Sequence, residues 1–216
     1  MARNVEKDIR EEKRRRIRIL EAGLRLCSIQ GIEQAKLQDI ADEAEVGIVT
    51  LYNYYQNKVN LAIAISAYMW KKVWDENINM VGKEVLDSYD AYHRIEAYFD
   101  LIIRIYKEHP EILRFSGMYK TYINMQNIDT SKGNEHLDVL APISDIFHKL
   151  YEEAKVDHSI RTDVGEKELF TTLALTMLGM AERYALGLVW ASNDANDYEK
   201  ELLILKDMML KWLKDK

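Results

Sequence analysis

The stretch VGIVTLYNYYQNK, Val46 to Lys58, gathers the side chains best able to do chemistry in this chain. Hydroxyls on Thr50, Tyr52 and Tyr54 can donate to phosphate oxygens, Asn53 can pair with base edges, and Ile48 and Val49 can meet thymine methyls. Lys58 opens a further helix, where its charge joins free backbone amides and the helix dipole as a place for one more phosphate. Val46, Leu51 and Tyr55 fall at spacings that face a core. Aromatic side chains at helical spacing also simply fill cores, so this stretch alone leaves contact with DNA and plain packing both open.

The elements that must position these residues are short. Leu37, Ile40, Ala41 and Ala44 follow i, i+3, i+4, i+7, a second helix ahead of a third running from about Ile48 to Tyr54. A first helix, Arg10 to Gln30, carries Ile17, Leu20, Leu24 and Cys27 on one line, with Gly31 where a C-terminal stop falls. Two short helices joined by a tight turn and buttressed by a preceding helix have the outline of a helix-turn-helix, whose second helix enters the major groove. Asn57 can cap a long fourth helix from Lys58 to about Met80. Ile95, Phe99, Ile102 and Tyr106 mark a fifth, ended near His109 by Pro110, which suits the first turn of a sixth reaching about Gln126. Asn127 to Asn134 reads as a loop. A seventh helix has Pro142 near its start and ends around Lys155. Asp163 with Glu166 has capping-box spacing for an eighth that continues to about Trp190, and Asn196 with Glu199 repeats the device for a ninth. The expected fold is all-α, about nine helices. Residues 1–58 form a helix-turn-helix domain with a basic N-terminal arm, and 59–216 form a helical regulatory domain.

Composition narrows the function classes. The 216 residues are 48% hydrophobic, enough for a real core, and two prolines with nine glycines leave little punctuation for hairpins. One cysteine, Cys27, excludes an intrachain disulfide and reads as a small core residue, so a reducing cytoplasm is the natural home. No apolar run approaches a bilayer span. The net charge of −6 is uneven: residues 1–60 hold 11 Lys/Arg and 10 Asp/Glu, while the other 156 hold 19 and 26. Residues 1–18 alone carry eight basic and four acidic side chains, including Lys13-Arg14-Arg15-Arg16. Counterion release from phosphates needs only such a local patch, although a solvated helix face has the same composition.

A family resemblance covers the first 60 residues or so. Ile19-Leu20-Glu21-Ala22 with Leu26 and Gly31, Asp39-Ile40-Ala41, Ala44-Glu45-Val46, and Thr50-Leu51-Tyr52-Asn53-Tyr54-Tyr55 with Asn57-Lys58 and Leu61 resemble, in this order, the tetracycline-repressor (TetR/AcrR) family. Weaker similarities continue in His109-Pro110-Glu111 and Ile160-Arg161-Thr162-Asp163. The resemblance implies a homodimeric, ligand-responsive repressor of nine helices. It places Thr50, Tyr52 and Lys58 at phosphates, and Ile48, Val49, Asn53 and Tyr54 at or near base edges. Glu45 stands where the family usually has Gly, Gly47 where a Ser or Thr cap is usual, and Cys27 where Phe is typical. Replacing that cap by Gly costs only a few tenths of a kcal/mol.

Beyond Val59 the resemblance fades and composition takes over. Tyr98, Ile102, Tyr106, Tyr119, Tyr122, Met125, Met177, Met180 and Tyr184 are aromatic, aliphatic and thioether side chains able to line an adaptable apolar cavity for a small-molecule effector. For each alone, core filling is the commoner role. The eighth helix, with Phe170, Leu173, Met177, Leu178 and Ala181, is apolar on more than one side, and the ninth adds Leu202, Leu205, Met209 and Trp212. Together they suggest a dimer interface. The histidines His93, His109, His136, His148 and His158 are scattered, and no phosphate loop, nucleophile elbow or Cys-His pair is present, so no metal, cofactor or enzymatic activity is expected. The expected partners are double-stranded operator DNA, an effector and a second copy of the chain. A dimeric small-molecule-binding protein whose helix-turn-helix no longer reads DNA is the alternative.

Overall fold

The computed structural model describes residues 5–126, 135–189 and 197–214. They form ten helices and no strand: α1 (Val5–Gln30), α2 (Leu37–Glu43), α3 (Ile48–Tyr55), α4 (Lys58–Val81), α5 (Lys83–Ser88), α6 (Ala91–Glu108), α7 (Pro110–Met125), α8 (Glu135–Asp157), α9 (Glu166–Ala185) and α10 (Glu199–Lys214). The all-α expectation holds, with one helix more than the nine expected. The extra one is α5, six residues with nothing buried, so it left no apolar periodicity to read. Among the described residues no helix is long and apolar enough to cross a membrane.

Several boundaries follow from the local chemistry. Gly31 ends α1 at φ 88°, a left-handed conformation that costs glycine little, and its N–H donates to the Cys27 carbonyl at 2.9 Å. The Asn57 side chain caps α4 by accepting from the Asn60 N–H at 2.8 Å. Pro110 occupies the first turn of α7.

Other boundaries differ from expectation. Helix α1 begins at Val5, ahead of Arg10, since nothing between them breaks a helix. Helix α8 begins at Glu135, well ahead of Pro142. No Asp163/Glu166 capping box forms, because the Asp163 carboxylate is taken by the Arg161 guanidinium at 2.8 and 2.7 Å and α9 starts after Gly165 without a side-chain cap. Helix α9 stops at Ala185, short of Trp190: Gly187 turns left-handed at φ 70° and its N–H closes onto the Tyr184 carbonyl. Asp197 accepts from the first amide of α10. The expected loop Asn127 to Asn134, Trp190 and the Asn196 cap lie outside the described residues.

One continuous core runs through the chain. Ile19, Ile40, Leu51, Leu61 and Ile65 fill the space among α1 to α4, and Phe99, Ile102, Leu113, Phe115, Leu169 and Met177 fill the space among α6, α7 and α9. Helices α4 and α7 bridge the two, each packing against α1. At the crossing of α1 and α4, Gly23 faces Ile65 so closely that an added Cβ would lie 2.6 Å from its Cδ1.

Candidate functional site

The turn between α2 and α3 sets the geometry of the candidate DNA-reading helix. Glu45 takes φ 54°, left-handed, where glycine is the unstrained choice, so the departure from Gly costs roughly 1 to 2 kcal/mol in backbone conformation. Its carboxylate meets Arg18 of α1 at 2.9 Å, an exposed ion pair at the turn before α3. Val46 N–H closes the turn onto the Ala41 carbonyl at 3.0 Å. Gly47 caps α3 without a side-chain bond.

Leu51 and Tyr55 are buried and Val46 half-buried, as the spacing predicts. Opposite them Val49 is 68% exposed, Tyr52 47% exposed, and Asn53 exposed. Ile48, Thr50 and Tyr54 are half-buried, with Ile48 and Tyr54 packed against the core. Tyr54 meets Tyr55 edge-on at 6.3 Å, and the Arg16 guanidinium lies 4.4 Å from its ring centroid. The Lys58 ammonium donates to the Glu33 carbonyl at 2.6 Å, so it must turn from this bond to reach a phosphate. Val49, Tyr52 and Asn53 therefore form the outward edge, with Thr50 and Tyr54 beside it. Arg16 was not singled out in the sequence, where four consecutive basic residues give no sign of which one reaches an aromatic ring.

In the second region the side chains expected to line a cavity are largely packed as core. Ile102 and Met177 are fully buried, Tyr106, Tyr119 and Tyr122 nearly so, and Tyr98, Met180 and Tyr184 half-buried. Phe115 stacks on Tyr119 at 5.9 Å, Tyr184 on Tyr198 at 4.6 Å, and the Tyr106 hydroxyl accepts from the Tyr198 N–H at 3.1 Å. Met125 is 68% exposed and does not face this interior. Steps of three residues advance 300°, so a run Tyr119, Tyr122, Met125 drifts about 60° per step off the buried face. Among the described residues, clefts lie elsewhere. One of about 450 Å³ is bounded by Val73, Glu76, Met80, Leu101, Arg104, Ile105, Glu108 and His109, and one of about 350 Å³ by Phe147, Glu166, Lys167 and Phe170.

A polar network unseen in the sequence joins α7 to α9. Glu182, only 7% exposed, accepts from the Ser116 hydroxyl at 2.6 Å and from the Lys120 ammonium at 2.8 and 3.0 Å. Burial pushes the Tyr98 hydroxyl up to about 12, and the nearby Glu182 carboxylate adds to the rise. Gly117 lets the two helices meet, since a Cβ there would lie 2.9 Å from Leu186 Cδ1. In sequence Glu182 reads as the charge that interrupts an apolar run; its partners come from a helix some 60 residues away, which spacing cannot show.

On the α8 and α9 surface, His148, Glu152 and Glu166 bring possible ligand atoms within 4.8 Å of one another. The His148 Nδ1 lies 2.9 Å from Glu166, and Glu152 pairs with Lys155, an exposed ion-pair cluster in which every member already has a partner.

The residues expected at a dimer interface divide. Leu173, Met177, Ala181, Leu202 and Met209 are buried within the single chain and leave almost no surface for a second copy. A helix apolar on two sides does not reveal which side is intrachain, and here the strongest apolar line faces inward. Phe170 lies 4.4 Å from Phe147, Leu178 and Leu205 are half-buried, and Trp212 carries the Arg161 guanidinium at 4.3 Å. The exposed large apolar side chains on α9 and α10 are Leu175, Leu203, Ile204, Met208 and Trp212.

Residues 19–65 match the family described as bacterial regulatory proteins, tetR family. Among curated proteins the chain is similar to the HTH-type transcriptional repressor KstR of Rhodococcus jostii, 34% identical over 76 residues, covering 35% of this chain and 36% of that one. The match thus spans about a third of the relative's length. Among solved structures it is similar to the fatty acid degradation regulator FadR of Bacillus halodurans, with a TM-score of 0.68, 14% identity, and 90% and 94% of the two chains covered. It is also similar to FadR of Bacillus subtilis in complex with stearoyl-CoA, with a TM-score of 0.65, 16% identity, and 92% and 97% covered. At such identities these two likenesses speak for the fold.

Proposed function

Residues 19–65 make this chain a member of the tetR family of bacterial regulatory proteins, and from that premise we propose that it is a ligand-responsive transcriptional repressor. It binds a near-palindromic operator as a homodimer, with residues 1–58 as the reading head and 59–216 as the regulatory domain. The observation that carries this reading is the outward edge of α3, where Val49, Tyr52 and Asn53 stand free above a buried Leu51 and Tyr55. That is what direct readout requires: one rigid face fixed to a core and another offering a methyl surface, a hydroxyl and an amide to the groove. Tyr52, Thr50 and Lys58 hold phosphates, while Asn53, Tyr54, Val49 and Ile48 lie at base edges.

Two recognition helices reading successive half-sites must stand about one DNA turn apart, roughly 34 to 36 Å. Spacing is the switch, and α4 is the lever between the reading head and the regulatory core. An apolar or aromatic effector that lodges near Tyr98, Ile102, Tyr119, Tyr122 and Met177 releases DNA only by favouring a mis-spaced state. These side chains are close-packed without a ligand, so binding must part them. The stearoyl-CoA held by the Bacillus subtilis neighbour combines an apolar chain with a polar head. The apolar chain of such a molecule suits an interior of aromatics and thioethers, while Glu182, the buried acid among the described residues, would repel an anionic head and sets it apart from that interior. The copies pair through the exposed side chains of α9 and α10, Leu175, Ile204 and Met208, with Leu178, Leu205 and Trp212 at the margin.

The alternative, a dimeric ligand-binding protein that has lost DNA reading, draws on the acid at Glu45 and the net charge of −6; the pairing of Glu45 with Arg18 weighs against the first of these. A mobility-shift assay with the DNA upstream of the chain's own coding sequence separates the two. A repressor keeps a sequence preference as salt rises, and uniform loss of binding to all sequences would overturn the reading.

A further inference from the structure

Helix α8 passes into α9 through a short link that is held at several points. Leu150, Tyr151 and Ala154 of α8, Ile160 of the link and Leu169 of α9 are all buried in the core. The Tyr151 hydroxyl donates across to the link, 2.7 Å from the Val164 carbonyl and 3.2 Å from that of Thr162. Phe147 and Phe170 meet at 4.4 Å between the two helices. The first turn of α9 is therefore fixed against α8 before any exposed group is considered.

At the outer side of this junction a mixed set of donors converges. His148 and Glu152 stand at i and i+4 on α8 and share one face, and Glu166 is the first residue of α9. One imidazole nitrogen and two carboxylate oxygens, one atom from each residue, lie within 4.8 Å of one another. Tetrahedral coordination at zinc, with bonds near 2.0 to 2.1 Å, sets such atoms about 3.3 Å apart. The His148 to Glu166 distance of 2.9 Å has to open slightly and the widest has to close by about 1.5 Å, which is within the reach of rotamer changes at a surface. The existing ion pairs do not oppose this. In them the imidazolium of His148 and the ammonium of Lys155 supply the positive charge that two neighbouring carboxylates require. A divalent cation supplies it instead and leaves His148 neutral, with a nitrogen lone pair to coordinate. Lys155 can release Glu152 without leaving its place, because its ammonium also lies 5.1 Å from the Tyr151 ring centroid.

We propose that His148, Glu152 and Glu166 form a binding site for a first-row divalent transition metal, zinc above all, with water completing the coordination. The donor set selects this class: the imidazole favours zinc over magnesium and calcium, and a site without thiolate does not suit copper(I). Two ligands come from α8 and the third from the next helix, so the bound ion clamps the first turn of α9 to α8 and stabilises the folded chain by mass action. The histidines look scattered in the sequence because the pairing of His148 with Glu166 forms only when α9 folds back on α8. The site goes beyond the repressor reading and does not depend on it.

The test uses the untagged full chain, freed of metal by a chelator and titrated calorimetrically with zinc chloride, with cobalt chloride as a spectroscopic stand-in. Wild type should take up a single zinc ion per chain at micromolar concentration, melt at a higher temperature in its presence, and give with cobalt the visible absorption of a low-coordinate site. His148→Ala, Glu152→Gln and Glu166→Gln change side chains that are not buried, and melting without metal checks that each variant is folded. Each should weaken zinc binding at least tenfold and remove both the melting shift and the cobalt spectrum. His93→Gln, at a histidine paired with the single carboxylate of Asp90, should change none of these. Magnesium at the same concentration should not compete. Uptake only at millimolar zinc, uptake that survives unchanged in the three variants, or equal competition by magnesium overturns the site.

Discussion

The reading head and the regulatory core are both helical, yet they use their side chains in opposite ways. In the head, each short helix divides cleanly: Ile40, Ala41, Leu51 and Tyr55 go inward, and Val49, Tyr52 and Asn53 are exposed. In the core, α7 and α9 bury apolar side chains on more than one side and admit one carboxylate, Glu182, between them. The head thus displays its polar and aromatic groups on its surface, and the second region packs its own inside.

The largest test of that contrast is deletion of a central side chain in each. Phe115→Ala should cost about 3 to 5 kcal/mol and Leu51→Ala about 2 to 5 kcal/mol. The comparison sharpens if Leu51→Ala abolishes operator binding while the dimer persists in sedimentation, and breaks if both variants lose dimer and DNA together.

A smaller effect is expected at the buried carboxylate. Lys120→Met leaves Glu182 with Ser116 alone and should destabilise by about 1 to 2 kcal/mol, since Lys120 is about half exposed and solvent screens part of the pair. Denaturant midpoints measure it, and an unchanged midpoint would show that the network is not a structural tie between α7 and α9.

The head offers the opposite sign. Glu45→Gly relieves a left-handed residue and sacrifices an exposed ion pair with Arg18, for a net gain of up to about 1 kcal/mol. A loss of stability would mean that the pair outweighs the strain.

The smallest effect concerns pH. The Glu166 carboxylate beside His148 raises its pKa above the ordinary 6.5. The stability this pair contributes is therefore full below about 6.5 and lost as pH rises through the higher folded value. His148→Asn should flatten that slope in melts taken between pH 5 and 8, while an equal slope in both proteins would remove the pair from the account.

The same contrast decided what could be read in advance. Tyr52 and Asn53 were legible because an amphipathic helix of eight residues has one outside, and the α1 stop at Gly31, the Asn57 cap and Pro110 follow from strictly local rules. The inward turn of Met177 and Leu202 was not legible, since a helix apolar all round does not say which neighbour covers which side. Glu182 was missed for a related reason: Ser116 and Lys120 become its partners only once α7 is laid against α9. Glu45 was recognised as out of place, but its compensation by Arg18 needed three dimensions.

The near contact of Gly23 with Ile65 leaves α1 and α4 few ways to move past each other. With no side chain on one helix and a branched one pressed into the gap, sliding along either axis drives Ile65 into the flanking turns of α1, whereas pivoting about the contact keeps it seated. The crossing therefore acts as a hinge pin with one soft coordinate. A displacement of α4 would reach α1 as a tilt about this contact rather than as a slide.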